Sequence, residues 1–425
     1  MSRSLVVWWD GKVVGELTQD DGGELGFAYE AGWLGDDQAP PLSVSLPKRP
    51  EPFSRRECRP FFGGLLPEET QRRAAAQVLG ISAGNDFALL DRLGGDVAGA
   101  LQFLHSGEHP LDATGPWQAR ALDDEGLLRI IDALPMRPLL AGEEGLRLSL
   151  AGAQAKVPVV MVDGRVALPQ PGQPTTHILK PAIPRFEATT ENEAFAMRLA
   201  AEAGLEVAVA EPRVLRTPSG GTRTFLLVER YDREGASSAS VRRLHQEDFC
   251  QALGVPVERK YQSEGGPSLA DSFALLRRVA TRPAADVMKL LDAVIFNVVV
   301  GNADAHGKNF SILYGDTGAR LAPLYDLLST VMYPELSARF AMKIGKQARL
   351  EDLDAESWSD FAKKAGLGLP LVRRRVGELA TGIAEATKAT LEGLADTGLS
   401  LEALERLATL VRSRSEACAS SLMTK

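Results

Sequence analysis

The stretch Gly301-Asn302-Ala303-Asp304-Ala305-His306-Gly307-Lys308-Asn309-Phe310 concentrates side chains that can do chemistry. Asp304 and Asn309 are five positions apart. That D-x-x-x-x-N spacing supplies one carboxylate to take the proton of an attacking hydroxyl and one amide oxygen to hold a divalent ion during phosphoryl transfer. A second carboxylate, Asp326 in Pro323-Leu324-Tyr325-Asp326, follows a predicted hairpin of Phe310–Tyr314 and Arg320–Leu321 turning at Gly315-Asp316-Thr317-Gly318. The hairpin returns the chain so that Asp326 can meet Asn309 at one metal. The same letters are a poor P-loop, because five residues separate Gly301 from Gly307-Lys308 and Asn309 replaces the Ser or Thr. Taken alone, the Asp–Asn spacing arises often by chance and fits a capped turn with two Asx motifs better.

Phosphoryl transfer from a nucleotide also needs a lysine on the phosphates, steadied by a helix glutamate. Lys180 ends the strand-like His177–Lys180, and a predicted helix opening Glu191-Asn192-Glu193 follows; spacing does not choose between the two glutamates. The apolar Phe225–Glu229, running into Arg230-Tyr231, suits a hinge whose backbone reads a base, although on its own it fits an ordinary core strand better. In Ser149-Leu150-Ala151-Gly152-Ala153-Gln154, small residues let backbone N–H groups approach phosphates, although the G-x-G-x-x-G pattern is absent. Gly94-Gly95-Asp96-Val97-Ala98-Gly99 reads as a helix stop before a strand. Ser45 and Lys48 form S-x-x-K without the S-D-N or K-T-G that a penicillin-binding hydrolase requires.

These groups must be positioned by a chain of 425 residues with 44% hydrophobic and 24% charged residues, a globular composition long enough for two or three domains. A net charge of −8 argues against a stand-alone nucleic-acid binder. Cys58, Cys250 and Cys418 are far apart and match no zinc or disulfide spacing. The longest apolar run, Ala293 to Val300, is far too short to span a bilayer, and MSRSLVVWWDGK shows no signal-peptide pattern. The expectation is a cytoplasmic protein that does not enter a membrane.

Turn chemistry predicts a meander of Leu5–Trp9, Val13–Leu17 and Glu24–Glu30, then a strand-like Leu42–Leu46. Helices are expected over Pro67–Leu79, Asn85–Leu93 and Asp123–Leu134, with a strand at Val97–Leu104 and a boundary within His105–Trp117. A hairpin of Lys156–Val162 and Arg165–Leu168, a helix at Glu191–Ala203 and a mainly helical chain from Gln246 onward complete the outline. The domains predicted are 1–140, 141–230 and 231–425.

The ordered motifs SLAGAQAK (from Ser149), HILKP, TENEAF, VERYDR, HQEDFCQALG, KYQSEGGP, NADAHGKNFS and PLYDLLS resemble HipA-family serine/threonine kinases, the toxins of HipBA-type toxin–antitoxin pairs. The resemblance runs over nearly the whole chain. It implies an α+β, two-lobed protein-kinase-like fold, with an N-terminal α/β subdomain joined to the small lobe and a mainly helical large lobe. It implies ATP and Mg2+, a HipB-type helix-turn-helix antitoxin, operator DNA contacted mainly through that antitoxin, and an aminoacyl-tRNA synthetase as protein substrate. Carried over by position, Asp304 matches the catalytic base, with His306 and Lys308 near the phosphates, and Asn309 and Asp326 match the metal ligands. Lys180 matches the phosphate-binding lysine, Glu229 and Tyr231 the adenine hinge, and Gln246 a nucleotide-pocket glutamine. Ala151, Gly152 and Ala153 match the phosphate loop. Ser149 matches a serine whose autophosphorylation expels that loop and inactivates the enzyme. No DFG or APE follows the catalytic loop; Tyr325-Asp326-Leu327 takes the first place, and Pro181–Thr190 is the expected substrate-facing loop. The alternatives are a small-molecule or lipid kinase of the same fold, and a non-catalytic antitoxin-binding co-repressor.

Overall fold

A computed structural model describes residues 2–111, 119–235 and 241–423. The chain forms two compact units, the first from 1–181, 229–258 and 313–315, the second from 182–228, 259–312 and 316–425. The boundary expected within His105–Trp117 falls partly outside the described residues.

In the first unit the meander forms as β1 (Arg3–Trp9), β2 (Lys12–Gln19) and β3 (Leu25–Tyr29), and β4 (Leu101–Leu104) completes an antiparallel sheet of order β3-β2-β1-β4. The expected strand at Val97 begins only at Leu101. Helices α1 (Ala31–Gly35), α2 (Arg55–Gly64), α3 (Glu69–Leu79), α4 (Asp86–Leu93) and α5 (Asp124–Ala133) follow. Asn85 and Asp123 cap α4 and α5 through their side chains, as their residue types predict. Sequence reading misses α2 because Pro60 sits inside it. The helix is secured by Glu57, whose carboxylate accepts from both the Ser54 N–H and hydroxyl. Phe27, Phe61, Phe62, Phe87 and Phe103 fill the core between sheet and helices. The hairpin of β5 (Val157–Val162) and β6 (Arg165–Ala167) forms, with β7 (His177–Pro181) antiparallel to β5.

In the second unit, α6 (Thr189–Glu202) leads into an antiparallel hairpin of β8 (Ala210–Arg216), a strand that sequence reading misses, and β9 (Thr222–Glu229). β9 carries the chain back to the first unit, which gains β10 (Arg233–Glu234), β11 (Arg242–Arg243), β12 (His245–Asp248) and α7 (Phe249–Ala252). The chain continues through α8 (Leu269–Val279) and α9 (Pro283–Val300), then β13 (Ser311–Gly315) and β14 (Gly318–Leu321), joined through Asp316-Thr317. The tail is helical as expected: α10 (Ala355–Lys364), α11 (Leu369–Leu394) and α12 (Leu401–Ser420). α9 starts with Pro283, is buried almost all round from Leu290 to Val300, and packs with α6 and α12 around α11. Among the described residues no helix is long and apolar enough to cross a membrane.

Leu42–Leu46 is a turn, not a strand, because side chains claim its backbone groups. The Tyr29 hydroxyl accepts from Leu42 N–H at 2.7 Å and donates to Leu46 O at 2.5 Å. Glu247 accepts from Val44 N–H at 3.0 Å, from the Ser43 hydroxyl, and from the Tyr314 hydroxyl at 2.5 Å. Two positions away on β12, His245 packs 4.2 Å from Trp9 by ring centroids, its Nε2 2.9 Å from Leu42 O. Burial pushes Glu247 up to about 7, against the pull of its three hydrogen bonds, and pushes His245 down to about 4.

Folded Glu247 retains a proton that the unfolded chain has lost, so its contribution to stability falls as pH rises from 4.5 to about 7. His245 has the opposite slope between about 4 and 6.5, and the two largely cancel. Glu247→Gln removes only the first contribution. Urea denaturation between about pH 5 and pH 7 should therefore show the variant gaining stability relative to wild type as pH rises. Parallel profiles would contradict this assignment.

Candidate active site

The D-x-x-x-x-N loop lies in the second unit and is built on the end of α9. Asn297, one turn before that end, accepts Gly301 N–H (3.1 Å) and Asn302 N–H (2.9 Å) on its carbonyl. Its side-chain oxygen takes Asn302 Nδ2–H at 2.8 Å, and its own amide donates to Ala293 O. Asn302 Oδ1 then accepts Asp304 N–H at 3.2 Å. Two buried asparagines thus relay the helix end to the backbone of Asp304. Gly301 ends the helix at φ 76°, where a Cβ would stand 2.3 Å from Val331 Cγ2. Arg414 of α12 donates to the carbonyls of Val298 and Val299, satisfying acceptors the helix leaves open.

Across the loop, the Thr330 hydroxyl accepts Ala303 N–H at 2.8 Å and donates to Gly301 O at 3.0 Å. Asp304 is exposed, whereas His306 and Lys308 are buried and Asn309 is half-buried. Asn309 Oδ1 accepts His306 N–H at 3.1 Å, which fixes the side-chain amide.

Asp326 sits half-buried at φ 52°, left-handed backbone that few residues other than glycine adopt. Its neighbour Tyr325 donates to Lys308 O and pairs with the Ser311 hydroxyl, both at 2.7 Å, anchoring the Asp326 segment to the one that contains Asn309. Asn192 of α6 exchanges bonds with Ser329, accepting its N–H at 2.7 Å and donating to its carbonyl at 2.9 Å. The middle residue of Glu191-Asn192-Glu193 therefore supports the Asp326 segment, and Glu191 accepts from Ser400 N–H at 3.4 Å.

Lys180, Glu229, Tyr231, Gln246, Ser149 and Ala151–Ala153 all lie in the first unit. Glu229 and Tyr231 are half-buried and alternate with Arg230 and Asp232, which are buried. Arg230 is bidentate to Asp232 (2.9 and 2.8 Å) and also reaches Asp96 at 3.1 Å; Arg233 meets Asp96 at 2.9 Å and Arg243 meets it at 3.1 Å. Thr175 donates its hydroxyl to Asp96 at 2.6 Å, and Gly99 N–H donates to Asp232 at 2.7 Å. Burial strongly opposes ionisation of Asp96, yet the facing Arg233, Arg230 and Arg243 hold it well below the usual carboxylate range. The same balance brings Asp232 down to about 2.

This network reaches the predicted site residues directly. Gln246 Nε2 donates to Asp232 at 3.0 Å, while its Oε1 accepts from the Tyr231 hydroxyl. The backbone of Asp96 pairs with the Ser149 segment, Asp96 N–H to Arg147 O at 2.9 Å and Ser149 N–H to Asp96 O at 3.0 Å. Ser149 is fully buried and donates to Leu65 O at 2.8 Å. Gly152 O accepts Glu68 N–H at 3.1 Å, and Lys156 Nζ reaches Ala151 O at 2.8 Å. Lys180 is buried at the end of β7, where the following Pro181 carbonyl accepts from Gln154.

Sequence reading weighed Gly94–Gly99 for its glycines and missed Asp96. The available signal was the cluster of charges in Val228–Arg233, next to an apolar strand, which demands a buried counter-charge.

Residues 5–104 match the HipA N-terminal domain family and residues 148–391 the HipA-like C-terminal domain family. The chain is 62% identical over 417 residues to Y4mE of Sinorhizobium fredii, provisionally named a kinase, covering 97% of this chain and 98% of that one. It is 32% identical over 371 residues to the serine/threonine-protein kinase toxin HipA of Shewanella oneidensis, covering 84% and 82%. The structure of Shewanella oneidensis HipA with HipB and operator DNA matches with a TM-score of 0.84 at 27% identity, covering 99% of this chain and 100% of that one. The fold is the α+β, two-lobed kinase type expected from the motifs. The chain belongs to the HipA family of kinases.

Gly301→Ala should cost about 2–4 kcal/mol, from left-handed strain and the clash with Val331. Urea denaturation of the variant beside the wild type measures it. A loss below about 0.5 kcal/mol would mean that this loop corner is not constrained as described.

Proposed function

We propose that this chain is an ATP-dependent protein serine/threonine kinase acting in the cytoplasm as the toxin of a toxin–antitoxin pair. The observation that carries the reading is the exposed Asp304 carboxylate, held by its backbone on a buried asparagine relay, with Asn309 and Asp326 in the adjoining braced segments. Asp304 accepts the acceptor hydroxyl's proton as that oxygen bonds to the γ-phosphorus and the bond to the departing ADP oxygen breaks. An amide oxygen and a carboxylate are hard oxygen donors suited to Mg2+, which would neutralise charge on the phosphates. Asn309 and Asp326 would hold it. Lys180 binds the phosphates, with His306 and Lys308 near the transferred group. Glu229, Tyr231 and Gln246 receive the adenine, and the backbone of Ala151–Ala153 approaches the phosphates.

The substrate we propose is a translation component, an aminoacyl-tRNA synthetase, whose phosphorylation arrests growth. The Shewanella relative's structure with HipB and operator DNA supports an antitoxin and operator DNA as partners; the antitoxin we propose is of the helix-turn-helix type and holds most of the DNA itself. Autophosphorylation on Ser149 would be self-limiting. The serine is buried against Leu65, so a phosphate there must break the Asp96 and Glu68 backbone bonds and expel the segment.

Peptide mass spectrometry after incubation with Mg·ATP and purified synthetases tests both parts. Wild type should carry phosphate on Ser149 and phosphorylate a synthetase, while Asp304→Ala should do neither. Equal phosphorylation by the variant would overturn the role of Asp304. Phosphate found only on added sugars or lipids would favour a small-molecule or lipid kinase, and binding of antitoxin without any transfer would favour a co-repressor.

A further inference from the structure

We infer that Tyr261 is a positioning residue for Asp304, a role that rests on the kinase reading above. Tyr261 lies in the KYQSEGGP motif, Lys260–Pro267. Its hydroxyl donates to Asp304 Oδ1 at 2.7 Å, and its ring meets the His306 ring edge-on, with centroids 5.2 Å apart. The tyrosine arrives from outside the Gly301–Phe310 loop, yet it is tied to it. Gln262 N–H donates to Ala341 O at 3.2 Å, and Ala341 N–H donates to Ala303 O at 2.8 Å. Gln262 Oε1 accepts Lys343 N–H at 2.8 Å, which locks the same junction from the side-chain end.

The turn that presents the phenol closes only with glycine at 266. Gly266 N–H donates to Tyr261 O at 2.8 Å, and a Cβ there would lie 2.2 Å from Arg259 O and 2.7 Å from Tyr261 O. A buried asparagine relay thus fixes the backbone of Asp304, and a separately braced phenol fixes its carboxylate.

An exposed aspartate samples several χ1 and χ2 settings, most of them useless to an incoming hydroxyl. A donor on one carboxylate oxygen selects a single setting before the acceptor arrives, so less orientational entropy is lost in reaching the transition state. The tyrosine's hydroxyl acts on the carboxylate of the proposed base. Its removal should therefore appear in turnover and leave nucleotide binding unchanged.

Tyr261→Phe keeps the ring and removes only the donor. In a steady-state assay of phosphoryl transfer to the protein acceptor, its kcat should fall roughly tenfold, less than the loss on removing the base itself, with KM for ATP unchanged. Added to Asp304→Ala, the same substitution should lower residual activity no further, because there is no carboxylate left to orient. An unchanged kcat would overturn the proposal. So would a rise in KM for ATP matching the loss of kcat, or an equal further loss in the Asp304→Ala background, since either marks a merely structural residue. A wild-type enzyme that transfers no phosphate while Mg·ATP still binds would overturn the kinase reading, and this role with it. That result is distinct from an active wild type that Tyr261→Phe leaves unaffected.

Discussion

Asp96 is a buried carboxylate facing three guanidinium groups, and the arrangement of the first unit around the predicted nucleotide residues depends on it. A charge withdrawn from water is tolerated only when paired and hydrogen-bonded, and here every charged partner is itself out of solvent or nearly so. Arg230 and Arg233 cannot move without stranding Asp96 and Asp232, and neither aspartate can move without stranding the arginines. Removing one member of such a network costs about 3–5 kcal/mol. Its value lies in geometry. Arg230 and Asp232 pin alternate positions of Val228–Arg233, which leaves Glu229 and Tyr231 at set positions between them. The main chain of Asp96 holds the Ser149 segment with bonds of 2.9 and 3.0 Å. One residue thus fixes the Val228–Arg233 segment through its side chain and the Ser149 segment through its backbone.

The second unit solves the same problem with neutral groups. Asn297, Asn302 and Thr330 carry the rigidity of α9 into the loop that bears Asp304. Tyr325 and Asn192 brace the segment that bears Asp326. Asp304 is exposed, and its support comes through its backbone and the Tyr261 phenol rather than through burial. The left-handed backbone at Asp326 fits this pattern, since local strain persists where surrounding bonds over-determine the conformation.

Much of this was legible in the sequence. The turn-separated strands of the meander, the helices at Asn85–Leu93 and Asp123–Leu134, and the hairpin turning before Gly318 each follow from local chemistry. What escaped depends on partners distant in sequence. Leu42–Leu46 has strand-like composition, but Glu247 and Tyr29 take its backbone groups and make it a turn. Helix α2 hides behind Pro60. Asp96 looks like a residue in a glycine turn until Arg230, Arg233 and Arg243, more than 130 positions later, are seen to surround it. Asp304, Asn309 and Asp326 stand out by spacing, whereas Asn302 and Tyr261 sit inside the NADAHGKNFS and KYQSEGGP motifs with no spacing that assigns them a role, and Thr330 lies outside every motif.

The central claim is that the buried Asp96 network sets the nucleotide-binding geometry. It is tested most directly by calorimetric titration of Mg·ATP into wild type and Asp96→Asn, with near-UV circular dichroism to verify that the variant is folded. The account predicts a folded variant whose affinity for Mg·ATP falls by roughly tenfold or more, because an amide cannot hold three guanidiniums and the hinge loosens. Wild-type affinity in the folded variant would contradict it and would reduce the network to a packing device without influence on the site.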